Sequence, residues 1–206
     1  MKTILVTGAT GYIGGRLVPR LLEKGYKVRC LARQPDHLQG RPWSGRVEIV
    51  KGDALAGAGL KEAMEGVDAA YYLIHSMGDV PHFESHDETS ARNFSTAAAF
   101  AGVKKVVYLG GLGKECRLLS NHLVSRQTVG EILRGYGLNV TEFRAAIIVV
   151  SGSVSFEIIR YLVERLPLIP CPGYMKNTHC QPIAIRDVLS YLIGALETPA
   201  SDHKII

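Results

Sequence analysis

The stretch LSNHLVSRQTVGEIL, residues 119–133, places His122, Ser125 and Arg126 within about one turn of a predicted helix. His122 and Arg126 are four residues apart, so on a helix they share one face. An imidazole gives or takes a proton near neutral pH, whereas a guanidinium stays charged. The pair therefore fits acid/base chemistry on a bound substrate, and a polar helix face without chemical function is the alternative.

The elements that must position this helix alternate between strand and helix along the whole chain. Apolar residues recur with helical spacing from Ile13 to Lys24, where Gly25 follows, and a long helix is predicted from about Glu84 to Ala101. Several predicted strands are apolar throughout, which is typical of a parallel sheet covered on both faces. The fold class predicted is therefore α/β, a Rossmann-type doubly wound parallel sheet with helices on both faces. The predicted strands are KTILVTG, YKVRCLAR, RVEIVKGD, DAAYYLIH, KKVVYLGG and LNVTEFRAAIIVV.

The length of 206 residues suits one substantial core, so we expect a single domain over residues 1–206. Residues 151–206 are expected to contribute the substrate side. Within them, SVSFEIIRYLVERLP predicts an amphipathic helix. Its apolar residues Phe156, Ile159, Leu162 and Val163 are expected to pack chiefly into the core, and a pocket wall is the alternative. The sequence ends in HKII, which looks like the start of a strand, and we expect a protein truncated at its carboxyl terminus.

Composition argues against several classes of partner. The net charge is +5, but Lys and Arg are scattered without a basic stripe, so no nucleic-acid partner is predicted. The chain has no apolar run of the ~18 residues that a membrane span needs, so no membrane partner is predicted either. The four cysteines show no metal-type pairing, and Cys30 reads as a buried thiol. These features favour a reducing, cytoplasmic location and no metal.

A glycine-rich segment, TGATGYIGG, joins the first predicted strand to the first helix. Gly8, Gly11 and Gly14 follow a G-x-x-G-x-x-G spacing. The missing Cβ atoms let backbone N–H groups approach phosphates, and the helix amino terminus adds partial positive charge. The segment therefore predicts a dinucleotide site that includes Thr10, Tyr12 and Ile13, and a glycine-rich turn without a ligand is the alternative.

The end of the second predicted strand bears on the choice of cofactor. An NAD-specific site usually carries Asp or Glu there, to accept a hydrogen bond from the ribose 2′-hydroxyl. Here Arg33 stands at that place, and Asp36 is the first carboxylate after it. A guanidinium favours a 2′-phosphate, so NADP(H) is the preferred cofactor, with NAD(H) as the alternative. A solvated surface arginine is the other interpretation of Arg33.

With these motifs the chain resembles the short-chain dehydrogenase/reductase superfamily, in its extended and atypical branches. The resemblance begins with VTGATGYIGGRLVPRLLEKGYKVRCLAR and covers nearly the whole chain. It is similar to NmrA-like and nucleoside-diphosphate-sugar-epimerase-like NAD(P)-binding proteins. It continues through GD at 52–53, AAYYLIHSM, AGVKKVVYLGGLG, EFRAAIIVVSGS and QPIAIRDV.

The resemblance implies further cofactor contacts. Asp53 and Ala54, after the third strand, would lie by the adenine. His75 and Ser76, after the fourth strand, would line the ribose and pyrophosphate side, and a strand-end cap is the alternative for His75. Gly110, Gly111 and Arg126 would complete the cofactor site.

The resemblance also shows where this chain departs from active members of the superfamily. Those members use Tyr-x-x-x-Lys on one helix and a Ser or Thr after the preceding strand. Here Gly110 and Gly111 replace the hydroxyl residue, and the only register that recreates the spacing is His122 with Arg126. An oxidoreductase acting on a small carbonyl or quinone-like compound is predicted, with His122 and Arg126 as catalytic residues.

Two other functions remain open at this stage. A non-catalytic NADP(H)-sensing regulator would keep Arg126 on the cofactor and leave His122 for packing or for a partner. An epimerase or lyase would recycle the cofactor within the site. A protein partner or a homodimer is compatible with either function.

Overall fold

A six-stranded parallel sheet carries the site. Its strands are β1 (Thr3–Thr7), β2 (Lys27–Ala32), β3 (Glu48–Lys51), β4 (Ala69–Tyr72), β5 (Lys105–Gly111) and β6 (Val140–Ala145). The computed structural model of the chain describes residues 1–75, 83–113, 120–149, 154–169, 173 and 181–206. The strands are ordered β3-β2-β1-β4-β5-β6, so the order reverses between β1 and β4. Sheets of this kind leave a crevice at the carboxyl ends of the strands at that point.

Helices cover both faces of the sheet. They are α1 (Tyr12–Glu23), α2 (Asp36–Gln39), α3 (Leu60–Met64), α4 (Phe83–Phe100), α5 (Asn121–Gly135), α6 (Val154–Arg165) and α7 (Ile185–Glu197). One apolar core lies between the sheet and α1 with α7, and a second lies between the sheet and α3, α4 and α5. The predicted doubly wound α/β sheet is confirmed. Within the described part of the chain, none of the helices combines the length and the apolar character needed to cross a bilayer.

The strand predicted over residues 138–150 is wrong as a single element. It divides into β6 and a two-residue strand, β7 (Ile148–Val149), with a bend at Ala146. The reason is the reach of the neighbouring strand: Gly111, the last residue of β5, pairs with Ala145, so the ladder has no partner beyond that point. β7 pairs instead with β8 (Ile183–Ala184), in a small parallel sheet.

The expectation of core packing is also wrong for three of the four apolar residues of α6. Ile159, Leu162 and Val163 are 43%, 42% and 63% exposed, respectively, whereas Phe156 is half-buried. Helical periodicity places apolar residues on one face of a helix, but it does not supply the neighbour that covers that face. Among the described elements, none makes an extensive contact with α6.

The last described residues run beside β6. The amide of Ile206 donates to the Glu142 carbonyl at 2.8 Å, and the Arg144 amide donates to the Ile206 carbonyl at 2.8 Å. The predicted strand-like character of HKII is confirmed in the form of a parallel bridge between Ile205 and Glu142. Lys105, at the start of β5, holds this segment through an ion pair with Asp202.

Candidate functional site

The turn between β1 and α1 is shaped by glycines that approach neighbouring backbone. Gly8 has φ +73°, and a Cβ there would lie 2.6 Å from the Leu73 carbonyl oxygen, at the end of β4. A Cβ on Gly14 would collide with the Gly8 carbonyl. α1 therefore starts directly against the ends of β1 and β4. Gly11 is the N-cap residue of the helix, and it makes no side-chain cap hydrogen bond.

Two other residues predicted in this turn lie on its outer side. Thr10 is exposed, and its carbonyl accepts a hydrogen bond from Arg41 Nη2 at 3.3 Å. Tyr12 begins α1, and the Arg16 guanidinium lies 3.6 Å from its ring centroid. Ile13 packs against the core under the helix. The glycines of the turn, Gly8, Gly11 and Gly14, form what we call the cradle. Its outer side, which we call the rim, carries the cations Arg16 and Arg41.

The rim contains a cation that sequence reasoning missed. Arg33 follows β2 directly, as expected from the sequence, and its side chain is exposed. Arg41 reaches the same turn from the loop after α2, since its guanidinium carbon lies 3.7 Å from the Cβ position of Gly15. The local sequence around Arg41 does not predict this contact, because the contact depends on how the loop after α2 folds back onto the turn. An anionic group at the turn would meet the charge of Arg41.

Asp53 and Ala54, which are predicted to lie near the adenine, form a tight turn after β3. The Leu55 amide donates to Asp53 Oδ1 at 2.9 Å, so part of the carboxylate is engaged in its own turn. Ala54 is buried, and its carbonyl accepts a hydrogen bond from Asn93 Nδ2 at 2.9 Å. The turn lies at the carboxyl end of β3, the strand at the sheet edge beside β2. Both residues are therefore held at the edge where the resemblance puts the adenine.

The two glycines at the end of β5 lie in close quarters, and Gly111 leaves room for α5 to approach. A Cβ on Gly111 would lie 2.7 Å from Leu123 Cδ2, and a Cβ on Gly110 would lie 3.3 Å from Glu142 Oε1. Leu123 stands in the first turn of α5, whose capping residue Ser120 accepts a hydrogen bond from the Leu123 amide at 3.4 Å. The close packing brings the start of α5 to the carboxyl end of the sheet.

His122 and Arg126 occupy this first part of α5, on the predicted common face. Arg126 Nη1 donates to the Leu109 carbonyl at 3.4 Å, which directs the guanidinium toward the end of β5. Its Nε is buried and has no hydrogen-bond partner, and the guanidinium has no ion pair, among the residues that the structure describes. A half-buried charge in this state is suited to an incoming polar or anionic ligand.

His75 lies beside His122. It follows β4 by three residues, and the two imidazole centroids are 6.2 Å apart, with the ring planes at 64°. Ser76, its predicted neighbour in the site, lies outside the described residues. One turn further along α5, the Ser125 hydroxyl donates to the buried Asp87 carboxylate of α4 at 3.0 Å. Sequence reasoning did not find Asp87, because the contact joins two helices far apart along the chain.

The charges around the two imidazoles determine their protonation. Burial, together with the charge of Arg126 and the smaller effect of His122, lowers the pKa of His75 to about 4, although Asp87 opposes the shift. Burial, followed by Arg126, also lowers the pKa of His122, again against Asp87. Both rings are therefore predominantly neutral at neutral pH. His122 is the more exposed of the two, which leaves it open to solvent and to a ligand.

A dinucleotide fits this carboxyl edge. The glycine turn is a cradle that any Cβ at Gly8 or Gly14 would fill, and Arg126 presents a buried guanidinium nitrogen without a partner in the described part of the chain. The two features lie at opposite ends of the crevice, one at the β1 end and the other at the β5 end. An extended ligand with phosphates at one end and a ribose at the other would engage both.

The model of the NAD(P)H-binding family matches residues 8–148, from the glycine turn through β7. This chain belongs to the NAD(P)H-binding family. Its cofactor is therefore NAD(P)H, and the sequence prediction of an NAD(P)-binding chain is confirmed.

Curated relatives of this NAD(P)H-binding chain include reductases and dehydrogenases. Cinnamoyl-CoA reductase 1 of Petunia hybrida is 34% identical over 119 residues, which cover 54% of this chain and 36% of that protein. The match thus spans about a third of the relative's length. The predicted resemblance to short-chain dehydrogenases/reductases is confirmed.

Solved structures share the fold. A nucleoside-diphosphate-sugar epimerase from Staphylococcus aureus superposes with a TM-score of 0.80 at 19% identity, covering 100% of this chain and 70% of the other. The triphenylmethane reductase of Citrobacter sp., complexed with NADP(H), gives a TM-score of 0.78 at 19% identity, covering 98% of this chain and 68% of the other. At this level of identity the comparisons show the fold alone.

Proposed function

We propose that the chain is an NADP(H)-dependent reductase of a small carbonyl or quinone-like compound, with His122 as its acid/base residue. The observation that carries the proposal is the position of His122 and Arg126: one face of α5, four residues apart, at the end of β5. Oxidoreductase chemistry is also the activity named for the curated relatives. The free Cys30, fully buried, suits the reducing cytoplasm as the place of action.

The roles follow from the charges. Arg126, with its unpaired buried nitrogen, would bind the ribose on the nicotinamide side, and the cradle at Gly8, Gly11 and Gly14 would bind the pyrophosphate. A nicotinamide bound there would supply the hydride for the carbonyl carbon. His122, in its protonated form, gives its proton to the carbonyl oxygen, so hydride and proton together complete the alcohol. In the reverse direction, neutral His122 takes that proton.

The preference for NADP(H) rests on the cations at the glycine turn. Arg33 and Arg41 both lie at the carboxyl end of β2 and its following loop, and Asp36 accepts a hydrogen bond from Gln39 Nε2 at 3.0 Å. A 2′-phosphate would meet guanidinium groups there, and its two charges would be repelled by a carboxylate in the same place.

The test compares His122→Ala with Val124→Ala, an exposed position on the same helix. NADPH oxidation is followed with a panel of aldehydes, ketones and quinones, and the NADPH Kd is measured by fluorescence titration. We expect His122→Ala to lower kcat by about 10² to 10⁴-fold with an unchanged Kd, since the imidazole acts on the substrate proton. Val124→Ala should match the wild-type protein in both quantities.

A cofactor-sensing regulator of the NmrA-like type is the second candidate, favoured by the glycines at 110 and 111, which bring no hydroxyl to the site. It predicts tight NADPH binding without turnover of any panel compound by the wild-type protein. An epimerase-type enzyme, the third candidate, would interconvert its substrate without net NADPH oxidation. The panel therefore separates the three candidates.

A further inference from the structure

A carbonyl oxygen that receives a hydride gains negative charge and is stabilised by more than one hydrogen-bond donor. The hydroxyl groups near His122 are engaged or enclosed. Ser125 donates to Asp87 at 3.0 Å, and Tyr108 donates its hydroxyl to the Arg126 carbonyl at 2.9 Å. Tyr72 is fully buried. In the described part of the chain, none of these three hydroxyls is free to meet a substrate oxygen beside His122.

The His75 ring is placed to supply that second donor. A ring centroid lies about 4 Å from an oxygen that its N–H binds at normal hydrogen-bond length, so two rings up to about 8 Å apart can share one oxygen. The centroids of His75 and His122 are 6.2 Å apart, inside this range. The tilt of 64° between the ring planes shows that the two rings are not stacked face to face.

The two rings differ in burial, and the difference separates their roles. His75 is half-buried between β4 and α5, whereas His122 is exposed. Burial and Arg126 lower the pKa of His75 to about 4, so His75 stays a neutral N–H donor over the pH range in which His122 exchanges its proton. A neutral imidazole polarises a carbonyl without giving up its proton.

We infer that His75 donates a hydrogen bond to the substrate oxygen that His122 protonates. The inference rests on the proposed reductase function and adds a second catalytic residue to it. In the step, the hydride forms the new C–H bond, the π electrons of the carbonyl move to oxygen, and the proton of His122 forms the O–H bond. His75 keeps its proton throughout and holds the oxygen between the two rings.

The test uses two variants of His75 in the full chain. His75→Phe keeps a ring of similar shape without N–H, and His75→Gln keeps an N–H donor without the ring. His203→Gln is the control, since His203 is exposed and its amide is tied to Asn139, which precedes β6 at the opposite end of the sheet. For each variant, kcat and KM with a turned-over panel compound, the NADPH Kd and the urea unfolding midpoint are measured.

We expect His75→Phe to lower kcat by about 100-fold, the loss typical of one missing oxyanion donor, with KM and the NADPH Kd within about threefold of the wild-type values. The kcat of His75→Gln should be about tenfold higher than that of His75→Phe. A wild-type kcat in His75→Phe overturns the inference, as does an equal loss in both variants. A loss of kcat that is matched by a loss of NADPH affinity would indicate that His75 contacts the cofactor, and this result also overturns the inference. Absence of turnover by the wild-type protein overturns the proposed reductase, and this inference with it.

Discussion

The two ends of the crevice are built in different ways. At the β1 end, Gly8 and Gly14 create a cradle from backbone, and a single added methyl group would collide with a carbonyl. At the β5 end, the proposed working groups are side chains: His75, His122 and Arg126. A backbone cradle tolerates almost no substitution, whereas a side chain can be exchanged for another that carries a proton or a charge. Under the proposed function, the comparison explains how this chain keeps the glycine turn while His122 and Arg126 stand in place of Tyr and Lys.

The largest expected effect comes from filling the cradle. Gly14→Ala places a methyl group against the Gly8 carbonyl, so the turn must shift, and we expect at least a 100-fold loss of NADPH affinity and about 3 kcal/mol of stability. Titration with NADPH and urea unfolding measure the two. Gly194→Ala in α7 is the control, because no atom lies within 4 Å of its Cβ position. An unchanged Kd in Gly14→Ala would show that the cradle is no more restrictive than the side-chain end.

At the side-chain end, the burial of His75 should make the free energy of unfolding depend on pH. His75 has its pKa lowered from 6.5 to about 4 in the folded state, so below pH 6.5 the unfolded chain takes up a proton that the folded chain refuses. Stability present above pH 6.5 is therefore lost as the pH falls toward 4, by about 2 kcal/mol after allowance for partial exposure. Urea unfolding at several pH values measures the loss. In His75→Phe, the loss in the free energy of unfolding between pH 6.5 and pH 4 should be smaller by that amount. An equal loss in the variant and in the wild-type protein would contradict the burial of a neutral His75 ring.

The smallest of the three effects concerns the rim of the cradle. Arg33→Glu should weaken NADPH binding about tenfold more than NADH binding, because the exposed side chain is screened by solvent and Arg41 remains in place. Parallel titrations with the two cofactors measure the ratio. Arg46→Glu, at the opposite end of the sheet beside β3, is the control and should leave the ratio unchanged. Equal losses for both cofactors would remove Arg33 from the 2′-phosphate.

The sequence correctly predicted the features that depend on the pattern of neighbouring residues. The strands, the glycine turn and the helix that carries His122 follow from periodicity and spacing, which act over a few residues. The division of residues 138–150 escaped it, because the end of β6 depends on where β5 ends. The exposure of α6 escaped it for a similar reason, since a periodic apolar face contains no information about its neighbour.

The same distinction holds within the candidate site. His122 and Arg126 were found together because one helix carries them. The approach of His75 to His122, the Asp87–Ser125 hydrogen bond and the reach of Arg41 to Thr10 each join separate elements. Such contacts are set by the packing of whole helices and loops, which a single sequence without a structure does not specify.

The contact between Gly111 and Leu123 couples these two positions in any attempt to place a hydroxyl residue at the end of β5. Leu123 Cδ2 lies 2.7 Å from the place of a Cβ at 111, so a serine there requires the leucine side chain to rotate away or to be shortened. The two positions are therefore expected to be epistatic, with Gly111→Ser better tolerated once residue 123 carries a smaller side chain.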